Sequence, residues 1–257
     1  MELRVPGDKS ISQRGLIFAS LAEGTSRIRG ILCSGDPSST AGALRSLGVA
    51  IPDLGPDISI EGLGLRGLKA PSGLLDLGNS GTGARLLMGV LAGQPLEAVL
   101  TGDESLRSRP MARVVDPLTA MGGSYAALEQ PGRLPIRVTG GALKPITYDM
   151  PVASAQLKSS LLLAGLLGGV DVRLVEPGRS RDHTERVLGG MGVSVVSGPK
   201  KDGWGVDLIR PPAELPALDL HVPGDFSSAA FLILFGLLQE SKEPLILKDI
   251  GLNLSLI

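Results

Sequence analysis

Basic and hydroxyl side chains recur beside predicted helix N-termini in this sequence. The first group comprises Lys9, Ser10 and Arg14. It opens a helix predicted over residues 11–22, for which Asp8 and Ser10 are both suitable N-caps. Free backbone N–H groups and the positive end of the helix dipole favour an anion at such a position. The group therefore predicts a phosphate or carboxylate site, although a capped helix with solvated basic residues would give the same pattern.

Two further arginines stand ahead of later predicted helices. Arg109 precedes Pro110, and proline suits a first helical position. Arg181 begins a segment in which His183 is expected to lie at the surface. Taken singly, each arginine is expected to be a solvated or ion-paired surface group. Taken together, the basic groups predict helix N-termini that converge on one small, highly anionic molecule.

A repeat of about 70 residues places these groups at equivalent positions. Predicted apolar helices end at Gly24, Gly93, Gly165 and Gly236, which are 69, 72 and 71 residues apart. Segments rich in small and hydroxyl residues open these helices at Ser10, Asn79, Ser154 and Asp225. Basic residues also recur, at Arg14, Arg85 and Lys158. Several markers in phase indicate a duplicated unit.

The hydrophobic periodicity gives each unit the order strand, helix, strand, helix and strand pair. Helices are predicted over residues 79–91 and 154–167, and strands over residues 97–101 and 171–175. In the first unit, short strands are predicted within residues 49–65. Cys33 follows a predicted strand and is expected to be a small buried hydrophobe. The fold class is therefore α/β, built from repeated βαβαββ units.

Composition excludes several functional classes. The 257 residues are 43% hydrophobic, which suffices for one large core or two moderate ones. A net charge of −1 and 3% aromatic residues argue against nucleic acid binding. The longest apolar runs, residues 161–170 and 229–238, are too short to span a bilayer. The single cysteine and the absence of an apolar leader favour a cytoplasmic location, and neither His183 nor His221 has neighbours at the spacing of metal ligands.

The motifs resemble those of the 5-enolpyruvylshikimate-3-phosphate synthase family, also called 3-phosphoshikimate 1-carboxyvinyltransferases. The matches, in family order and spacing, are Pro6-Gly7-Asp8-Lys9-Ser10-Ile11-Ser12-Gln13-Arg14, Gly78-Asn79-Ser80-Gly81-Thr82-Gly83-Ala84-Arg85, Arg109-Pro110-Met111, Ser154-Ala155-Gln156-Leu157-Lys158, Arg181-Asp182-His183-Thr184-Glu185 and Pro223-Gly224-Asp225. The resemblance implies an inside-out, barrel-like α/β enolpyruvyl transferase fold with two domains of three units each. Residues 9–217 would form the first domain. Residues 1–8 and 218–257 would be crossover segments and an incomplete second domain.

The resemblance also implies a reaction, namely transfer of the enolpyruvyl group of phosphoenolpyruvate to the 5-hydroxyl of shikimate 3-phosphate. It implies no metal or organic cofactor and a monomeric full-length protein. The implied shikimate 3-phosphate ligands are Lys9, Ser10, Arg14, Ser154, Ala155, Gln156 and Arg181. The implied phosphoenolpyruvate ligands are Lys9, Asn79, Gly81, Thr82, Arg109 and Gln156. Lys9 would contact both substrates and is the candidate catalytic residue.

Departures from the family pattern leave alternatives open. Family chains have six units, whereas this sequence stops within the fourth at residues 253–257. The proton-transfer residues of the second domain are therefore expected to be absent, and the chain is expected to bind substrate without turnover. One alternative is a UDP-N-acetylglucosamine enolpyruvyl transferase, which would carry Lys-Asn where this sequence has Lys9-Ser10. The other is a non-catalytic anion-binding module derived from the fold.

Overall fold

The computed structural model describes residues 1–239 and 244–253. The helices in these ranges are α1 (Lys9–Leu21), α2 (Asp36–Ser46), α3 (Gly81–Ala92), α4 (Glu104–Ser108), α5 (Ala112–Ala120), α6 (Ala155–Gly168), α7 (His183–Gly190) and α8 (Phe226–Leu238). The strands are β1 (Glu2–Leu3), β2 (Thr25–Arg29), β3 (Asp57–Glu61), β4 (Leu75–Asp76), β5 (Glu97–Thr101), β6 (Ser124–Ala127), β7 (Ile136–Thr139), β8 (Ile146–Asp149), β9 (Val172–Glu176), β10 (Val195–Lys200), β11 (Gly203–Leu208), β12 (Asp219–His221) and β13 (Ile246–Leu247). The predicted helices over residues 11–22, 79–91 and 154–167 are confirmed to within about two residues at each end.

The repeat is visible in the sheets. The second unit has the strand order β4-β5-β7-β6, and the third has the order β8-β9-β11-β10. In each of these sheets the first two strands are parallel and the remaining pairs are antiparallel. Both sheets therefore confirm the predicted βαβαββ unit.

The first unit is completed by a distant part of the chain. Its sheet has the order β12-β2-β3, with β12 parallel to β2 and β3 antiparallel to it. The strand β12 thus occupies the place that β4 and β8 hold in the other two units. The prediction of several strands within residues 49–65 is wrong, since β3 is the strand found there. Pro52 and Pro56 lie ahead of β3, and proline cannot donate a hydrogen bond to a sheet.

The helices that open the units form the centre of the molecule. In α1, every residue from Ser12 to Leu21 is buried, and α3 and α6 are buried to a similar extent. A helix that is buried on all sides belongs inside a core, which explains their apolar sequences. The contact between α3 and α6 is so close that a Cβ atom on Gly89 would lie 2.1 Å from the carbonyl oxygen of Ser160.

The sheets lie outside these helices. Residues of β2 and β3 alternate between buried and exposed, so each strand turns one face to the helices and one to solvent. The predicted inside-out arrangement is therefore found, with separate open sheets among the described residues rather than a closed barrel.

Two segments of similar sequence, Pro6-Gly7-Asp8 and Pro223-Gly224-Asp225, lie against each other and are called the crossing segments below. The Asp8 backbone N–H donates to the Pro223 carbonyl at 2.8 Å, and the Asp225 backbone N–H donates to the Pro6 carbonyl at 2.9 Å. Each aspartate then caps the helix that follows it, Asp8 for α1 and Asp225 for α8. Residues 254–257, where the resemblance predicts an interrupted fourth unit, lie outside the described residues.

Helix α8 differs from the three central helices because its apolar side chains face solvent. Phe231 is 78% exposed and Leu237 is 77% exposed, while Ala229 is its buried residue. Within the described ranges, no helix combines the length and the apolar character needed to cross a membrane.

Candidate active site

The N-termini of α1, α3 and α6 are each capped by a side chain. Asp8 accepts a hydrogen bond from the Ile11 backbone N–H at 2.8 Å, and Ser80 accepts one from Gly83 at 3.0 Å. Ser154 caps α6 in the same way through Leu157, at 3.4 Å. These caps leave the other N–H groups of each first turn available to an anion. Side-chain hydrogen bonds join the N-terminal halves of the three helices, from Arg14 to Ser159, from Ser80 to Gln13 and from Gln156 to Thr82. These helix starts therefore lie close together.

Arg14 joins α1 to α6 and α7. Its Nε atom donates to Thr184 Oγ1 at 2.8 Å, and its Nη2 atom donates to Ser159 Oγ at 2.7 Å. Its Nη1 atom donates to the hydroxyl of Ser10 at 2.6 Å and to the carbonyl of the same residue at 3.1 Å. Arg14 is 1% exposed, and burial lowers its pKa to about 10. The cation is therefore held in place by neutral acceptors, without a carboxylate bonded to it.

Gln156 joins α6 to α3. Its Nε2 atom donates to Thr82 Oγ1 at 2.8 Å, and its Oε1 atom accepts from Arg85 Nη1 at 3.1 Å. Arg85 also donates to the backbone carbonyls of Gly81, at 3.1 Å, and Pro110, at 3.3 Å. The half-buried amide of Gln156 thus has both polar ends fixed by neighbours.

Arg109 brings a second guanidinium to the start of α3. It donates to Asn79 Oδ1 and, at 3.3 Å, to Ser105 Oγ. Asn79 in turn donates to Asp103 at 2.7 Å, and that hydrogen bond is the main reason why the pKa of Asp103 is lowered. Burial, followed by the charges of Arg109 and Arg113, lowers the pKa of Arg85. Like charges held this close without a bonded carboxylate favour an anionic ligand.

Gly81 lies between these two guanidinium groups. A Cβ atom on Gly81 would lie 2.8 Å from Arg85 Nη1 and 3.0 Å from Arg109 Nη1. Glycine is therefore the residue that allows both cations to approach the first turn of α3.

Lys9, Ser10 and Arg181 line a cleft of about 470 Å³ beside the crossing segments. Asp225 and Ser227 line the same cleft. The Lys9 ammonium is half exposed and lies 3.1 Å from an Asp36 carboxylate oxygen.

The remaining predicted ligands occupy the first turns just described. Ala155 begins α6 between its cap and Gln156, while Thr82 is in the first turn of α3. The residues predicted to bind shikimate 3-phosphate therefore come from α1, α6 and the segment before α7. Those predicted to bind phosphoenolpyruvate come mainly from α3, its preceding loop and Arg109.

Three predictions about individual residues need correction. His183 is 7% exposed and not at the surface, because α7 packs its first turn against α1. Burial, followed by the nearby charges of Arg14 and Arg181, lowers the pKa of His183 to about 4. Cys33 follows β2 as predicted, but it is exposed and not buried.

Pro110 also differs from expectation, and Lys158 has surroundings unlike those of Arg14. Pro110 lies outside a helix, since α4 ends at Ser108 with Arg109 as its C-cap and α5 begins at Ala112. Lys158 recurs in phase with Arg14 and Arg85, yet it is buried against Glu176 and Glu185, at 2.9 and 2.7 Å. Helix α6 is surrounded by protein, so a residue beyond its first turn faces the interior.

Sequence reasoning missed three residues of the site, namely Arg85, Ser159 and Thr184. Arg85 and Thr184 stand within matched motifs, and Ser159 follows one directly. Their role as partners of Gln156 and Arg14 depends on contacts between units, which a single motif does not reveal. In the described part of the chain, no group of three or more His, Cys, Asp or Glu residues has the geometry to hold a metal ion.

Comparisons with known proteins agree with this fold. The 3-phosphoshikimate 1-carboxyvinyltransferase of Gloeobacter violaceus is 50% identical over 254 residues, covering 98% of this chain and 57% of that protein. The enzyme of the same name from Shouchella clausii is 47% identical over 249 residues, covering 97% of this chain and 56% of the relative. The chain thus spans somewhat more than half the length of these curated relatives.

Solved structures give the same result. The EPSP synthase of Acinetobacter baumannii superposes with a TM-score of 0.88 and 40% identity, over 98% of this chain and 56% of that one. The enolpyruvyl transferase NikO of Streptomyces tendae shares the fold, with a TM-score of 0.70 at 18% identity over 96% of this chain and 57% of that one. The sequence profile described as EPSP synthase (3-phosphoshikimate 1-carboxyvinyltransferase) matches residues 1–255. The chain belongs to the EPSP synthase family.

Proposed function

We propose that this chain provides the shikimate 3-phosphate side of an enzyme that transfers the enolpyruvyl group of phosphoenolpyruvate to the 5-hydroxyl of shikimate 3-phosphate. The observation that carries the proposal is Arg14, a buried cation whose direct hydrogen-bond partners are all neutral. A buried charge is costly unless it is compensated, so this cation favours binding of an anion. Both substrates carry a phosphate and a carboxylate, which suit guanidinium groups and helix N-termini.

The two substrates would occupy adjacent parts of the site. The shikimate 3-phosphate ligands in this proposal are Lys9, Ser10, Arg14, Ser154, Ala155, Gln156 and Arg181. The phosphoenolpyruvate ligands are Lys9, Asn79, Gly81, Thr82, Arg109 and Gln156. The contacts of Gln156 with Thr82 and Arg85 support its position between the two substrates.

Enolpyruvyl transfer needs a proton for the methylene carbon and a base for the attacking hydroxyl. The described site presents cations, hydroxyls and amides. The nearby aspartates already have partners. Asp8 caps α1, and Asp225 accepts hydrogen bonds from the backbone N–H groups of Ser227 and Ser228 at 2.7 and 3.2 Å. Asp36 pairs with Lys9 at 3.1 Å, and Asp103 accepts from Asn79 at 2.7 Å. We therefore expect the chain to bind shikimate 3-phosphate without turnover until the remaining part of the family fold supplies an acid and a base.

The proposal includes a division of the chain and a setting for the protein. Residues 9–217 are the first domain, while residues 1–8 and 218–257 are crossover segments and an incomplete second domain. The crossing of Pro6-Gly7-Asp8 with Pro223-Gly224-Asp225 supports this division. The protein is expected in the cytoplasm, and its full-length family form is expected to be monomeric.

Thermal unfolding with candidate ligands tests the substrate. Shikimate 3-phosphate should raise the unfolding temperature, because a ligand that binds the native state stabilises it. If UDP-N-acetylglucosamine stabilises the chain and shikimate 3-phosphate does not, the result favours a UDP-N-acetylglucosamine enolpyruvyl transferase and contradicts the proposal.

Phosphate release tests the reaction. Purified chain is mixed with both substrates, with and without a separately expressed segment that corresponds to the rest of the relatives. Release of phosphate when the segment is added supports the proposal that the chain is part of an enzyme. If the two parts associate and still give no release, the chain is a binding module and the catalytic proposal fails.

A further inference from the structure

A cluster of buried charges lies next to Arg14. The Lys158 ammonium is 2.9 Å from a Glu176 carboxylate oxygen and 2.7 Å from one of Glu185, and none of the three side chains is more than 8% exposed. Glu185 directly follows Thr184, the acceptor of the Arg14 Nε hydrogen bond. The proposed substrate site therefore adjoins two buried carboxylates that share one ammonium group.

The charges of Lys158, Glu176 and Glu185 balance when that of Arg14 is added. Two ionised carboxylates and one ammonium leave one negative charge in excess, and the guanidinium of Arg14 supplies the missing positive charge. Because an uncompensated buried charge is costly, this balance matters for the unliganded protein. His183 does not enter it, since a pKa of about 4 leaves its ring neutral near pH 7.

Of the two carboxylates whose charge raises the pKa of Arg14, Glu185 has the larger effect and Asp8 the smaller, while the charge of Arg181 opposes both. Glu176 is bonded to Lys158 and also accepts from the Ser180 backbone N–H at 3.3 Å. Burial raises the pKa of Glu185, while Lys158 opposes this rise. The charge of Glu185 in turn raises the pKa of Arg14 against the larger lowering by burial.

Two other charged groups face Glu185 from its own segment. These are Asp182, whose charge also raises the pKa of Glu185, and Arg186, whose pKa is raised in part by Glu185. Asp182 pairs with Arg186 at 2.7 Å and with Arg179 at 3.0 Å. Both arginines are partly exposed, so solvent screens their charges more than those of the buried cluster.

We propose that Glu185 is the counter-charge of Arg14 in the unliganded protein and takes up a proton when an anion binds to Arg14. The inference rests on the proposed function, in which that anion belongs to shikimate 3-phosphate. Once the ligand compensates Arg14, the group of Lys158, Glu176 and Glu185 again has one negative charge in excess. A proton taken from solvent neutralises Glu185 and removes the excess, and it returns to solvent when the ligand leaves.

This coupling predicts a specific pH dependence. Binding that takes up a proton weakens as pH rises, by at most tenfold per pH unit for one proton. Replacing Glu185 by glutamine leaves Lys158 paired with Glu176 and leaves no excess carboxylate. The Glu185→Gln chain should therefore match the wild-type affinity at low pH and exceed it increasingly at higher pH.

The test is a calorimetric titration of the full chain with shikimate 3-phosphate between about pH 5.5 and 8.5. The ratio of the wild-type Kd to the Glu185→Gln Kd cancels the titration of the ligand phosphate itself. This ratio is expected to rise with pH. Glu97→Gln is the matched control, because Glu97 is exposed on β5 and pairs with Arg137 at 3.3 Å. A ratio that stays constant over the range overturns the proposal.

A second measurement needs no ligand and separates this inference from the proposed function. Denaturant midpoints at pH 8 are compared for Arg14→Gln, Glu185→Gln and the double variant. The double variant restores the charge balance, so its midpoint should fall by less than the two single losses together. Additive losses overturn the coupling, whereas a failure to bind shikimate 3-phosphate at any pH overturns the proposed function alone.

Discussion

Arg85 Nη1 lies 3.1 Å from Gln156 Oε1 and joins the first turns of α3 and α6. The same amide donates to Thr82 Oγ1 at 2.8 Å. The proposed phosphoenolpyruvate site is on the α3 side of this contact, and the proposed shikimate 3-phosphate site is on the α6 side. One amide and one guanidinium therefore align the two sites, and the space that Gly81 leaves for Arg85 becomes a test of that alignment.

Replacing Gly81 by alanine should weaken the binding of a ligand in the phosphoenolpyruvate site more than it weakens the binding of shikimate 3-phosphate. The new methyl group would lie 2.8 Å from Arg85 Nη1 and 3.0 Å from Arg109 Nη1, which forces the guanidinium groups to move. The measurement is a pair of titrations, one for each ligand. Gly42→Ala is the control, since nothing lies within 4 Å of its added Cβ atom. Equal losses for both ligands would contradict the assignment.

Replacing Arg181 by alanine should weaken the binding of shikimate 3-phosphate by roughly 1.5 to 3 kcal/mol, as expected for the loss of a hydrogen bond to a charged group. Arg181 lines the cleft that also holds Lys9 and Ser10. Calorimetry gives the change in dissociation constant. Arg173→Ala is the matched control, because Arg173 is an exposed arginine on β9 paired with Asp171 at 3.2 Å. An Arg181→Ala chain with unchanged affinity would remove this residue from the site.

Replacing Lys158 by methionine should destabilise the chain by about 3 to 5 kcal/mol near neutral pH, because it leaves two buried carboxylates unpaired. The pKa of Glu185 is already raised by burial, so the folded variant should bind a proton more tightly than the unfolded chain. Its stability should therefore fall as pH rises through the folded-state pKa.

Chemical denaturation at several pH values measures this effect. Lys200→Met is the comparison, since Lys200 pairs with Asp207 at a partly exposed position and should cost about 0 to 1 kcal/mol. A loss for Lys158→Met that is equally small, or that grows as pH falls, would be inconsistent with a buried charge cluster.

Helix α8 should make the chain associate. Its exposed side chains include Phe231, Leu234 and Phe235, which form an apolar surface of the kind that usually marks an interface. Sedimentation velocity should detect larger species as concentration rises, and Phe231→Ser should reduce them. Leu128→Ser provides a control at an exposed apolar residue outside α8. A strictly monomeric chain at high concentration would refute this expectation.

The sequence predicts the repeat well, because the pattern within each unit is local. Apolar periodicity and capping residues suffice for α1, α3 and α6, and Arg14 is recognised from its place at a helix start. Pairing between distant segments leaves no such pattern. The return of β12 to the first sheet is a long-range contact, so residues 219–221 carry no local sign of it.

Environment decides the cases in which equivalent positions diverge. Arg14 and Lys158 recur in phase, yet one meets hydroxyl groups and the other meets two carboxylates. The sequence predicts that His183 lies at the surface, whereas the packing of α7 against α1 buries it. In each case the neighbours come from another unit, so the sequence around the residue does not reveal its surroundings.

The most direct test of the account compares shikimate 3-phosphate with shikimate in titrations of the chain. The two ligands differ by the phosphate that the basic helix starts are proposed to bind. We predict saturable binding of shikimate 3-phosphate and an affinity for shikimate that is weaker by about 1.5 kcal/mol or more, roughly tenfold. Equal affinities, or no binding of shikimate 3-phosphate, would contradict the proposal that the N-termini of α1 and α6, together with the segment before α7, form its site.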